Sequence, residues 1–379
     1  MMNLLSGGNK MNVLITGAKG FVGKNLVAEL INYGCENIYE VDRETELEEL
    51  NEFTQKCDFV FHLAGVNRPL NDAEFMEGNY EFTDKLLKLL EEHQNKAPIL
   101  LTSSIQAELD NPYGKSKRAG EDILFSYSEK NKVPVYVYRL DNLFGKWSRP
   151  NYNSVVATFC YNIARNIELK IDNPETILSL CYIDDVLKEF IQAFEGRGTN
   201  KNTFYYVPVS YKKKLGEISE LILSFKESRT NLMIPDMEDT FVKKMYSTYL
   251  SYLPVDDFSY DLLMNEDNRG SFTEFIKTKN SGQVSINISK PGITKGNHWH
   301  HSKNEKFLVV KGEGIIRFRK IDTDAVTEYR VSGSKLQVVD IPVGYTHSIV
   351  NVGIEEMVTV MWVNEIFDKN YPDTYFMEV

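Results

Sequence analysis

Two sets of residues in this 379-residue chain have the types and spacing that chemistry requires. One is Gly292-x5-His298-x-His300-x4-Glu305-x6-Gly312, followed by Pro342-x-Gly344-x2-His347-x3-Asn351. Alternate residues of a strand share a face, so His298 and His300 point the same way. Glu305 then comes from the next strand and His347 from a later one. Three imidazoles and a carboxylate converging inside a small barrel suit Zn²⁺, Fe²⁺, Mn²⁺ or Ni²⁺. A lone histidine would be read as a satisfied core residue. Four ligand-type residues in two linked patterns predict a divalent metal, zinc foremost. His301 falls outside the pattern and is read as an outer or surface residue.

The other set begins with Gly17-Ala-Lys19-Gly20-Phe21-Val22-Gly23, which follows a buried strand signal, Val13–Thr16, and opens a helix. One glycine permits the tight turn, another lets backbone approach a diphosphate, and the third lets helix pack on strand. The helix N-terminus offers amide hydrogens and partial positive charge to the phosphates. Asp42 and Arg43 stand where the second strand ends. The carboxylate suits the ribose diol of NAD and the guanidinium suits the 2′-phosphate of NADP, so the position reads both ways. Farther on, Tyr113 and Lys117 stand at i and i+4 on one helical face. A nearby cation favours the phenolate and draws the Tyr113 pKa toward the range of a working proton donor. Lys117 also suits the nicotinamide ribose. Ser103 and Ser104 end the strand Leu100–Thr102, and the short spacing to Tyr113 leaves open which hydroxyl faces the substrate oxygen.

Two kinds of element must position these groups. Short apolar runs at Val13–Thr16, Phe59–Leu63, Ile99–Thr102 and Val133–Arg139 alternate with helical patterns at Leu26–Tyr33 and Phe82–His93. That alternation predicts βαβ units and a doubly wound parallel sheet. After about Asp257, short segments such as Val284–Ile288, Phe307–Val310, Ile315–Arg319 and Thr327–Val331 are broken by Gly, Asn, Asp and Pro. That is an all-β sandwich or barrel pattern. The predicted organisation is a leader over 1–10, an α/β domain over 11–246, a tyrosine-rich linker over 247–256 and a β domain over 257–379.

The net charge of −11 argues against a nucleic-acid partner. No apolar run is long enough to span a bilayer, and the first ten residues lack a signal-peptide pattern. Cys35, Cys57, Cys160 and Cys181 form no C-x-x-C pair and read as reduced thiols of a cytoplasmic protein.

Residues 11 to about 245 resemble the extended short-chain dehydrogenase/reductases. The resemblance rests on Thr16–Gly23, His62-Leu63-Ala64-Gly65, the Ser104/Tyr113/Lys117 pattern, Arg139-Leu-Asp-Asn142-Leu-Phe-Gly145 and Tyr182-Ile-Asp-Asp-Val186. It implies a Rossmann-type fold, NADPH or alternatively NADH as cofactor, catalytic Ser104, Tyr113 and Lys117, and a structural His62. Cofactor contacts are implied at Gly17, Lys19, Gly20, Phe21, Val22, Gly23, Asp42, Arg43, Leu63, Ala64, Gly65 and Lys117. Such enzymes act on nucleotide-activated sugars, for which Lys146, Arg149, Asn151, Asn153 and Arg165 are polar candidates.

The C-terminal patterns are similar to both motifs of the cupin superfamily, with Leu336 where a glycine is usual. This implies a jelly-roll barrel. Asp267-Asn-Arg269-Gly270-Ser-Phe272-Thr-Glu274 and Lys295-Gly-Asn-His298 also resemble the sugar-nucleotide 3,5-epimerase branch, where the residue matching His298 is a general base. His298 therefore answers to two roles.

The two modules together resemble the bifunctional capsular polysaccharide synthesis enzymes of the CapF type. The implied substrate is a UDP-linked 4-keto-6-deoxy amino sugar, epimerised at C3 by the cupin and then reduced at C4 by the reductase. A homodimer is also expected. Three alternatives stay open: a plain 4-ketoreductase with a structural or dimerising cupin, a non-redox dehydratase or epimerase, and a nucleotide-sensing regulatory protein. The dehydratases carry an acid pair beside the tyrosine, which is not evident near Ser104. The intact Tyr113/Lys117 pair speaks against the regulatory reading.

Overall fold

A computed structural model describes residues 11–69 and 71–379. The predicted leader lies outside the described residues. The chain divides into two compact units. One runs up to Ile222 and adds Lys244–Leu253; the other combines Leu223–Lys243 with Pro254–Val379.

The first unit is built on β1 (Asn12–Thr16), β2 (Asn37–Val41), β3 (Phe59–His62), β4 (Ile99–Ser104) and β5 (Val135–Leu140). These strands pair in parallel in the order β2-β1-β3-β4-β5. β6 (Asn142–Phe144), β7 (Ile177–Tyr182) and β10 (Tyr211–Lys214) make a three-stranded sheet, while β8 (Asn200–Lys201) and β9 (Phe204–Tyr205) extend the main one beyond β5. Strand parity divides the apolar residues between two faces. Val13, Ile15, Phe59, Phe61, Leu100 and Tyr138 join one core cluster. Leu14, Val60, Ile99, Leu101 and Val137 join the other. Both faces are therefore buried, as a parallel sheet covered by helices requires. The order reverses at β1, between β2 and β3, and the carboxyl ends of strands beside such a reversal form a ligand crevice. Thr16 and His62 stand at those ends, and Ser104 ends β4, the next strand along.

The second unit is all antiparallel. Its strands are β11 (Met264–Asp267), β12 (Gly270–Thr278), β13 (Gly282–Ser289), β14 (Thr294–Trp299), β15 (Glu305–Lys311), β16 (Glu313–Lys320), β17 (Val326–Ser332), β18 (Val338–Ile341), β19 (Tyr345–Asn351), β20 (Met357–Val363) and β21 (Tyr375–Phe376). They form a six-stranded sheet, β11-β12-β13-β20-β15-β18, and a five-stranded sheet, β17-β16-β19-β14-β21. One apolar cluster takes Phe307, Val309, Val339, Ile341 and Met357 from the first sheet and Ile316, Phe318, Val331 and Ile349 from the second. The sheets thus face each other across a shared core.

The tyrosine-rich segment contains the boundary between the units, at Leu253/Pro254, and its first part is helical. Ser247–Leu250 continue the helix Thr240–Leu250, and Tyr249 is buried. The Tyr252 hydroxyl donates to the carbonyls of Gly145 at 3.2 Å and Ser148 at 2.7 Å. A phenol can bury its ring and still satisfy its hydroxyl, so a run rich in tyrosine packs where a run of glycine and serine would not.

Candidate active site and candidate metal centre

In the first unit, Gly17 lies at φ +73, and a Cβ there would stand 2.8 Å from the Ala64 nitrogen. A Cβ on Gly23 would stand 2.2 Å from the Gly17 carbonyl. Both glycines are required by close backbone approach. The helix Phe21–Tyr33 begins at Gly20 with no side-chain cap and no acidic residue in its first turn. Its amide end is open to an anion, which fits the diphosphate of a nicotinamide dinucleotide.

His62 ties this turn to its neighbours. Thr83 Oγ1 donates to the Asn79 carbonyl, so His62 Nε2 donates to Thr83 Oγ1 at 2.9 Å and Nδ1 accepts from Thr16 Oγ1 at 2.6 Å. Thr16 Oγ1 also accepts the Ala64 amide at 3.2 Å. The ring is neutral: burial first, then the Lys117 charge, push its pKa down to about 3. Asn79 bonds Val66 through both of its amide atoms and reaches Ser116 Oγ at 3.0 Å, clamping the Leu63–Val66 loop onto the helix Pro112–Asn131.

Tyr113, Lys117 and Ser104 come together at the end of β4. Lys117 is buried and donates to the Thr102 carbonyl at 2.9 Å. Burial brings its ammonium down to about 8, against a smaller upward effect from Glu121. The two serines separate clearly. Ser103 Oγ donates to Glu121 Oε1 at 2.5 Å, whereas Ser104 Oγ accepts the Gln106 amide at 3.1 Å and lies close enough to Tyr113 to act on its hydroxyl. The expected lowering of the Tyr113 pKa by Lys117 is absent from this geometry. Burial of the ring raises it, and the Ser104 hydrogen bond pulls the other way.

Asp42 is held by Lys19 at 2.5 Å and accepts the Glu44 amide at 2.8 Å. Arg43 is exposed and has no ion pair or hydrogen bond among the described residues. Of the polar sugar candidates, Lys146 pairs with Asp184 at 2.5 Å. Arg165 stacks on Tyr161 and donates to the Tyr252 carbonyl at 2.9 Å, so it serves the packing instead.

One network escaped sequence reasoning. Arg139 holds buried Glu121 by two bonds, Nε to Oε1 at 2.9 Å and Nη2 to Oε2 at 2.6 Å, and its guanidinium lies 3.8 Å over the Phe204 ring. Glu121 stands one helical turn beyond Lys117. Arg139 was legible only as part of a motif, without a role.

In the second unit, His298, His300, Glu305 and His347 present ligand atoms that all lie within 4.8 Å of one another. Glu305 Oε2 is 3.2 Å from His347 Nε2 and 3.6 Å from His300 Nε2. None of those three atoms has a hydrogen-bond partner among the described residues, nor does His347 Nδ1, and all are buried. Buried polar atoms without partners are costly, and a shared cation would satisfy them together. The donor set, three imidazoles and one carboxylate, fits a divalent ion such as Zn²⁺. Burial opposes ionisation of Glu305, but His300 and His347 outweigh it and hold the carboxyl down at about 2. Burial, then the neighbouring His347, lowers His298 to about 4. Both groups are thus in the state that binds metal at neutral pH.

Local backbone builds this cluster. Strand parity would put Lys295 and His298 on opposite faces. A bulge between Gly296 and His298, with Asn297 at φ +59, inserts one residue and resets the parity. Lys295, His298 and His300 consequently all line one cavity of about 470 Å³. Lys295 is held there by Asn287 Oδ1 at 2.7 Å and the Ile288 carbonyl at 2.9 Å. Nothing in the sequence pattern marked the bulge.

A parallel α/β unit with this glycine turn and Tyr/Lys pair defines a nucleotide-binding class, and the chain belongs to the NAD dependent epimerase/dehydratase family, whose profile matches residues 13–205. Residues 265–375 match the polysaccharide biosynthesis C-terminal domain. Over 369 residues the chain is 47% identical to the UDP-2-acetamido-2,6-beta-L-arabino-hexul-4-ose reductase of Pseudomonas aeruginosa, covering 97% of this chain and 99% of that protein. It is 58% identical to the capsular polysaccharide assembling protein CapF of Staphylococcus aureus, whose crystal structure superposes with a TM-score of 0.92 over 97% of this chain and 100% of that one. The enzyme WbmF of Bordetella bronchiseptica, solved with NAD⁺, shares the fold at 19% identity and a TM-score of 0.51, over 57% of this chain and 78% of its own. Among the described residues no helix is long and apolar enough to cross a membrane.

Proposed function

We propose that the chain performs two consecutive steps on one UDP-linked 4-keto-6-deoxy amino sugar. The C-terminal unit, a metal-binding cupin, epimerises C3 of a UDP-2-acetamido-2,6-dideoxy-4-hexulose. The N-terminal unit then reduces the C4 ketone with NADPH to UDP-N-acetyl-6-deoxy-talosamine, a precursor of UDP-N-acetyl-L-fucosamine for capsule or O-antigen. The observation that carries this reading is that one chain holds both a Ser104/Tyr113/Lys117 site beside a glycine turn and a buried His₃Glu cluster lining a cavity. The name of the 47% identical relative, a hexul-4-ose reductase, supports the reductase half.

When bound, the nicotinamide supplies a hydride and the metal supplies Lewis acidity toward a carbonyl. The protein's own groups do the rest. Ser104 Oγ orients the C4 oxygen, and Tyr113 Oη delivers its proton as the ketone becomes an alcohol. Lys117, held by the Thr102 carbonyl, is placed to hold the cofactor ribose. Lys19 and the turn around it occupy Asp42, whereas Arg43 is free for a 2′-phosphate, which favours NADPH over NADH. His298, His300, Glu305 and His347 would hold the metal, so His298 is not the base in the loaded state. The C3 proton is acidic only while C4 is a ketone, so epimerisation precedes reduction. We read the protein as a cytoplasmic homodimer.

The test uses the full chain and the UDP-4-keto sugar in D₂O. Without NADPH, deuterium should enter C3, and chelation should stop it. Adding NADPH should give one oxidised cofactor per sugar and the talo product by NMR. Reduction without any C3 exchange would sink the epimerase assignment and leave a ketoreductase with a structural C-terminal unit.

A further inference from the structure

The segment that follows β20 returns across the strands carrying the imidazoles. We propose that Asp373, on this segment, is a positioning residue for the metal, and that docking of Pro372–Glu378 is energetically coupled to metal binding. The inference rests on reading the His₃Glu cluster as a metal site, but not on what reaction the metal serves.

His300 is the link. Its Nδ1 donates to the Asp373 carbonyl at 2.5 Å. A carbonyl only accepts, so the proton is on Nδ1 and Nε2 carries the lone pair that faces Glu305. Metal-ligating histidines need such a partner on the far nitrogen to fix tautomer and ring orientation. That partner is a backbone atom, and it is only as well placed as the turn around it. Asp373 sits at φ +39, an uncommon conformation for a residue with a side chain. Its carboxylate holds the turn in place. Oδ1 accepts the His301 amide at 3.0 Å, while Oδ2 accepts the Ser302 amide at 2.9 Å, the Ser302 hydroxyl at 3.0 Å and the Lys303 amide at 2.9 Å. One side chain thus fastens the segment to the three residues that follow His300.

The segment also reaches the other imidazoles. Tyr375 pairs with Trp299 and Phe376 with His298 along β14. The Met377 amide donates to the carbonyl of Asn297, the bulge residue, at 3.0 Å. Thr346, beside His347, donates its hydroxyl to the Met377 carbonyl. Lys303 Nζ donates to the Pro372 carbonyl and to Thr374 Oγ1, the latter at 3.2 Å. All three histidines are therefore neighbours of residues that the segment grips. A metal that requires the present arrangement of imidazoles favours the docked segment, and by linkage the docked segment favours the metal by the same factor.

The experiment is a competitive Zn²⁺ titration of the chelator-stripped full chain and of Asp373→Ala and Asp373→Asn, well below their melting temperatures. Asp373→Ala should bind Zn²⁺ roughly 10–100-fold more weakly, the range seen when outer partners of metal ligands are removed. Asp373→Asn keeps one acceptor and tolerates the left-handed backbone, so it should fall between. A merely structural role would lower the melting temperature and leave the affinity of the folded protein unchanged. Wild type and Asp373→Ala binding Zn²⁺ equally would overturn the coupling and leave the metal site standing. A wild-type chain that takes up no Zn²⁺ would overturn both. Should Asp373→Ala fail to fold, hydrogen exchange of the wild type decides. The amides of His301, Ser302, Lys303 and Met377 should gain protection on adding Zn²⁺, and unchanged protection would overturn the proposal.

Discussion

The two sites differ in how they treat their buried polar atoms. In the first, Ser103, His62, Asn79, Lys117, Glu121 and Arg139 all have protein partners. In the second, His300 Nε2, Glu305 Oε2 and both nitrogens of His347 have none among the described residues. A closed network holds a shape for a ligand that arrives with its own charges. An open one has its donors set for a cation. On the proposed function, the difference teaches that one half is organised around exchangeable molecules and the other around an ion.

The largest effect that separates the halves is Tyr113→Phe. It should lower the NADPH-dependent reduction rate by roughly 10²–10⁴-fold, the usual worth of a positioned proton donor. C3 exchange should be untouched; a parallel loss of both would break the division of labour. The closed network makes its own prediction. Arg139→Met leaves Glu121 buried without its cation, which should cost about 3–5 kcal/mol in urea unfolding of the first unit. A change below ~1 kcal/mol would mean that the network contributes little.

His62 sharpens the contrast through pH. Its folded pKa, about 3, lies below the ordinary 6.5, so the folded state binds fewer protons between those values. The resulting stability is fully present above about 6.5 and is lost as pH falls through about 3. Between pH 7 and pH 5 the first unit should lose about 2 kcal/mol from this residue, at ~1.4 kcal/mol per unit. Urea midpoints of wild type and His62→Gln at both pH values read the difference; equal slopes would refute it. The smallest expected effect is at Arg43. Arg43→Ala should raise the KM for NADPH by about tenfold, ~1.4 kcal/mol, and leave that for NADH nearly unchanged. Equal shifts would remove Arg43 from cofactor choice.

Much of this contrast could be read from residue order. Gly17, Gly20 and Gly23, the Tyr113/Lys117 pair and the His298/His300/Glu305/His347 pattern all fall where their spacing predicted, because each rests on a local period: a turn, a helical face, a strand face. The predicted strands and helices coincide with observed elements for the same reason, overrunning them only at Leu63, at His93 and at Val133 and Pro134. The boundary between the units falls at Leu253/Pro254, inside the predicted linker over 247–256, but the part before it packs on the first unit through Tyr252, whose carbonyl partners lie more than a hundred residues away and leave no local signal.

The sequence by itself determined which side chains have the chemistry and which element carries each, since glycine turns, helical spacing and strand alternation are short-range. Only the tertiary structure decided which serine faces Tyr113, that Glu121 and Arg139 stand behind it, that a bulge turns Lys295 into the His₃Glu cavity, and that Asp373 fixes the tautomer of His300. Each of these depends on a partner far along the chain or on one inserted residue. A single extra residue in a strand inverts every side chain after it, and no composition or spacing rule records where the chain will place it.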